Sequence, residues 1–135
     1  MVFYQKKITI INIRKPTHRN LNHDLQWFGT SLGLFNMRDK DRSCFRTFIE
    51  LVKAAKERKP LSSDELALRL DLSRGTVIHH INKLIDSGIV VHEGNRYLLR
   101  VDSLKQLIQE LKEDLQRNLN DLEEIAFELD EKLGL

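Results

Sequence analysis

Apolar residues between Pro60 and Val101 follow two different spacings, and the points where one gives way to the other mark elements. Leu66, Leu70 and Leu72 follow Ser62 and Glu65, a Ser-x-x-Glu pair that caps the start of a helix. Asp71 and Leu72 make a turn. Ser73 then caps a second helix, in which Val77, Ile81, Leu84 and Ile85 recur at i, i+4, i+7 and i+8, one face of a 3.6-residue period. Gly88 ends it at the position where a left-handed residue is wanted. Two runs rich in β-branched residues, 89–92 and 96–101, are joined by Glu93-Gly94-Asn95 and predict a hairpin.

Helix, tight turn, helix and hairpin, in that order, spell a winged helix-turn-helix. Upstream, Phe45, Phe48, Ile49, Val52 and Ala55 share one face of a helix predicted from an Asp41 cap to Arg58, the first helix of this domain. Further back, the β-branched stretch Ile8–Ile13 predicts a strand ended by Pro16. From Asn20, Leu21, Leu25 and Phe28 predict a short helix beside Trp27, stopped at Gly29. Thr30–Lys40 reads as a loop or broken helix.

Downstream, Leu104, Ile108, Leu111, Leu115, Asn118, Leu122, Ile125 and Leu129 alternate spacings of four and three, a heptad seam. A helix of that length reaches roughly 46 Å, more than so small a domain can cover, so a second copy of the chain is the simplest partner. Asn118 is the polar residue that fixes register, and Leu107, Leu119, Ala126 and Leu133 widen the stripe, which leaves packing onto the body or a four-helix arrangement open. The fold class is therefore mostly α with a small β wing: a basic extension of strand plus short helix (1–40), a winged helix-turn-helix domain (41–101) and a coiled-coil-like dimerisation helix (102–135).

Charge changes this picture more than composition does. The net charge of the 135 residues is only +2, yet residues 1–60 hold 13 Lys and Arg against 5 Asp and Glu, a surplus of +8. Residues 61–100 balance at 5 against 5, and 101–135 carry 4 against 10, or −6. Phosphate neutralisation supplies most nonspecific affinity for nucleic acid, so a neutral reading head must borrow cations from the N-terminal segment. No apolar run approaches the roughly 20 residues that span a bilayer, and the N-terminus lacks a signal-peptide pattern, so a cytoplasmic protein with no membrane contact is expected. The lone Cys44 reads as a small core residue rather than a redox sensor.

On the second helix, the side opposite Val77, Ile81 and Leu84 carries Gly75, Thr76, His79, Asn82 and Lys83, with Arg74 near the start. These residue types donate to base edges or phosphates in a major groove, and Asn95 and Arg96 at the wing tip are expected to contact the backbone or the minor groove. The run Thr76-Val77-Ile78-His79-His80-Ile81-Asn82-Lys83-Leu84 resembles the opening of the recognition helix in ArsR-type winged-helix regulators. That resemblance implies a dimer with its recognition helix in the major groove of duplex DNA. Ile78 departs from the small polar residue usual in that family, and the paired-cysteine metal motif is absent. No ligand set is spaced for a metal among His18, His23, His79, His80 and His92, and no catalytic motif, nucleophile elbow or phosphate-cradling loop appears, so no metal, no cofactor and no enzymatic activity are expected. Two functions lead, ahead of a third in which the acidic helix makes the protein a pure protein-interaction adaptor with no nucleic-acid binding. The leading one is a homodimeric transcriptional regulator that binds duplex DNA. The alternative is a dimeric factor on a ribosomal subunit or structured RNA that regulates translation through Lys6, Lys7, Arg14, Lys15, Arg19, Arg38, Lys40 and Arg42.

Overall fold

The computed structural model describes residues 6–17, 19–34 and 42–135. Five helices and three short strands follow in the order α1 (Leu21–Ser31), α2 (Ser43–Lys56), β1 (Leu61–Ser62), α3 (Ser63–Leu70), α4 (Arg74–Asp86), β2 (Val90–Glu93), β3 (Arg96–Leu99) and α5 (Leu104–Leu133). This is a winged helix. Its three helices α2, α3 and α4 pack around Phe48, Leu51, Leu66, Val77, Ile81 and Leu84, all fully buried, and the sheet closes the core with Leu61, Val90 and Leu99. Cys44 belongs to the same core.

The caps lie where the sequence puts them. Ser62 Oγ accepts from the Glu65 amide at 3.1 Å and Ser73 Oγ from the Thr76 amide at 3.1 Å, each satisfying a donor that a helix start leaves open. Asp71 turns the chain in the left-handed region at φ 55. The hairpin pairs Glu93 with Arg96 around Gly94-Asn95, with Gly94 at φ +64. The two-residue β1 joins the far side of β3, so the antiparallel sheet runs β1-β3-β2.

Upstream the expectations need correcting. Residues 6–17 form no strand; they run as an irregular strap whose amides bond to helix ends. The α1 helix passes through Gly29, which is buried, and stops two residues later. Its stop is a Schellman motif: the Leu34 amide reaches Gly29 O at 2.8 Å and the Gly33 amide reaches Thr30 O at 3.0 Å, with Gly33 at φ +72. The α4 helix ends the same way, Ile89 to Leu84 O at 3.0 Å and Gly88 to Ile85 O at 2.9 Å, with Gly88 at φ +78. Each motif leaves the carbonyl of the last helical residue without an intrahelical partner. The strap supplies both, Ile11 donating to Ser31 O and Lys7 to Asp86 O, each at 2.8 Å. Amides that a sheet edge would have used are thus spent on helix-terminal carbonyls. Trp27 Nε1 donates to Ile13 O at 3.0 Å, and Phe28 stacks on Phe48 at 6.4 Å between ring centroids, which ties α1 and the strap to the body. Asp41, the expected cap of α2, lies outside the described residues; the residue at the cap position is Arg42, at φ 56, with no side-chain cap bond.

The α5 helix is long and its docking is uneven. Leu107 and Leu111 are buried against the body, while Leu104, Ile108 and Leu115 are half-buried. From residue 116 onward every residue is exposed. The expected seam is thus divided: Leu104, Ile108 and Leu111 are already used within the chain, and the residue that seals the contact most fully is Leu107, one position off the seam. Among the described residues no helix is long and apolar enough to cross a membrane.

Candidate nucleic-acid interface

Burial of Val77, Ile81 and Leu84 fixes the rotation of α4, and the rest of its surface follows from that. Arg74, Gly75, His79, Asn82 and Lys83 are exposed and Thr76 is half-buried. The Thr76 hydroxyl shares a 2.8 Å hydrogen bond with Ser73 Oγ, so it serves the helix start. Arg74 Nε stands 3.5 Å from Asp64 on α3, both side chains largely in solvent, a pair weak enough to exchange for a phosphate. His80 turns inward, its Nε2 2.6 Å from Ser43 Oγ at the start of α2, whereas His79 stays on the outer face. Among the described residues no three His, Cys, Asp or Glu side chains are grouped to hold a metal ion.

The outer face of α4 does not stand alone. The strap runs beside its C-terminal half, and Lys7 and Thr9 face His79, Asn82, Lys83, Asp86 and Ser87 across an open groove of about 580 Å³. Strap residues alternate: Lys7 and Thr9 line the groove, while Ile8 packs on the core. Lys83 Nζ donates to Gly33 O at 3.0 Å, a cation just past the C-terminal end of α1, where the helix dipole favours it. A Cβ on Gly33 would come within 2.9 Å of Thr9 Cγ2, so this glycine is required by close approach as well as by its positive φ. The α4 helix, the strap and the end of α1 therefore meet at Gly33.

At the wing, Asn95 is exposed at the hairpin tip. Arg96 is exposed too, but its guanidinium turns back to Glu65 at 2.5 Å and Pro60 O at 3.4 Å, bracing β3 against α3. A backbone phosphate would have to compete with that carboxylate. The next cation along, Arg100, had no role in the sequence reading. It bonds Asp114 on α5 at 2.5 Å and lies 3.4 Å from Glu110, clamping the base of the wing to the long helix. The Arg100 hydrogen bond holds the Asp114 carboxyl below its ordinary value, and the guanidinium is raised in return.

The basic extension is spread rather than gathered. Lys7 faces the groove, whereas the Lys6 stem passes over Gly88 and its charge acts on Asp114. Arg14 and Lys15 are exposed, and Arg19 is held by Asp24 at 2.6 Å. Arg42 is exposed at the start of α2, and Arg38 and Lys40 lie outside the described residues. On α5, Asn118, Leu122, Ile125 and Leu129 are exposed, flanked by Leu119 and Leu133. The groove itself was hidden from the sequence; the one signal pointing to it was the neutral reading head beside a basic arm.

Residues 50–91 match the family model of winged helix-turn-helix DNA-binding domains, from the second half of α2 into β2. The match is to that class at large and does not single out the ArsR type. Neither a curated protein nor a solved structure matches the chain.

Proposed function

We propose that the protein is a cytoplasmic, homodimeric transcriptional regulator of ArsR-like organisation that reads duplex DNA. The observation that carries this reading is the exposed outer face of α4, presented by a winged helix whose sequence matches DNA-binding domains. Arg74, His79, Asn82 and Lys83 meet base edges and phosphates in the major groove, Thr76 stands beside them, and Asn95 with Arg96 approaches the flanking backbone. The exposed half of α5, with Leu122, Ile125 and Leu129 on one stripe, pairs with its copy, and two-fold symmetry then favours palindromic half-sites. Light scattering combined with duplex-DNA titration at low salt tests both halves: a dimer that binds duplex is expected, and a monomer that ignores duplex defeats the reading.

A second reading draws on one observation. Both cations of α4 have partners within the chain, Arg74 at Asp64 and Lys83 at Gly33 O, while residues 61–100 are neutral and the surplus lies in residues 1–60. That distribution favours a factor held on a ribosomal subunit or structured RNA by its basic arm. Sucrose-gradient fractionation separates the two. Comigration with ribosomal subunits that is lost with RNase and indifferent to DNase selects the second.

A further inference from the structure

We propose that the groove between the strap and α4 holds a stretch of phosphodiester backbone, with Lys7 as its anchoring cation. The inference rests on the nucleic-acid reading above and names a contact that a winged helix alone does not have. Three observations lead to it. The groove lies on the outer face of α4, so a strand followed by His79 and Asn82 continues into it. Among the described residues its rim carries Lys7 and Lys83 against a single carboxylate, Asp86, in a region where residues 61–100 otherwise sum to zero. The strap is held there independently of the Lys7 side chain: the Lys7 amide binds Asp86 O, the Ile11 amide binds Ser31 O, and Ile13 O receives Trp27. The backbone that carries the cation is fixed before any ligand arrives, so only the Lys7 side chain has to be ordered on gripping a phosphate, which lowers the entropic cost. Lys83 can join it only by leaving Gly33 O, so Lys7 is the cation available first.

The test uses the full-length chain and a fluorescein-labelled 30-base-pair duplex, with anisotropy titrations over a series of salt concentrations. Loss of one phosphate contact in Lys7→Ala lowers the slope of log affinity against log salt by about 0.9, uniformly across duplex sequences. Lys7→Arg restores it, and Lys132→Ala, near the end of α5, leaves it unchanged. An unaltered slope in Lys7→Ala, in a protein that binds duplex, overturns the groove and spares the regulator. Should the wild-type chain ignore duplex but bind a structured RNA hairpin with a Lys7-dependent slope, the DNA reading falls and the groove stands. Lysine-independent binding to both probes overturns the groove for either nucleic acid.

Discussion

The two halves of α5 share one helix and one heptad pattern, and they meet different surroundings. In the first half Leu107 and Leu111 are buried and Arg100 grips Asp114, so the helix is welded to the wing domain. In the second half Leu122 is 63% exposed and Ile125 52%, although their spacing continues the same seam. A periodic apolar stripe says that a helix will bury one face; it does not say against what. Here the stripe leaves the body near Leu115, and the buried line drifts from the heptad seam toward Leu107 because a globular surface, unlike a second straight helix, imposes no 3.5-residue repeat.

The sharpest way to break the contrast is to charge the exposed half. Leu122→Lys combined with Ile125→Lys is expected to weaken dimerisation by about a hundredfold or more, since each buried aliphatic side chain contributes about 1.5–3 kcal/mol, with the melting of the dilute monomer unchanged. Sedimentation equilibrium and thermal melts of the same sample check both statements. In the docked half, Leu107→Ala should cost about 2–5 kcal/mol of folding stability whatever the protein concentration, read from urea unfolding at two concentrations.

Smaller effects sharpen the boundary. Asp114 is depressed when folded, so its contribution is fully present above the ordinary aspartate value of about 3.9 and is lost as pH falls through the lower folded value. Acid titration of stability should therefore show an unfolding step below about pH 4 that Asp114→Asn removes, at a cost near neutrality of about 1.5–3 kcal/mol for the charged hydrogen bond. Smallest is Asn118→Leu, expected to tighten self-association by about 1–2 kcal/mol while allowing higher oligomers, visible by light scattering.

Much of the winged domain was legible because its signals are local. Ser62, Ser73 and Gly88 each act within four residues of themselves, and the alternation across Gly94-Asn95 sets its own register. What escaped is what depends on distant partners. The two residues of β1 are too few to show a period. Gly29 looked like a helix stop, yet the Schellman closure needed Gly33, with Leu34 buried to complete it. The segment 8–13 has strand propensity, but propensity carries no information on the helix-terminal carbonyls of Ser31 and Asp86 that take the strap's amides. Arg96 was placed at the wing tip correctly, and its bond to Glu65, 31 positions earlier, could not be read from either residue. The same holds for the groove, whose walls come from opposite ends of the domain sequence.

That separation orders events during synthesis. Lys7 leaves the ribosome before the carbonyl that its amide needs, which belongs to Asp86, 79 residues later by their numbering, and Ile11 waits for Ser31. At about 5–20 residues per second the strap remains undocked for roughly 4–16 s while the three core helices are made. The strap is therefore made early and docked late, and Lys7 reaches the outer face of α4 only once the terminal turn of that helix has been built.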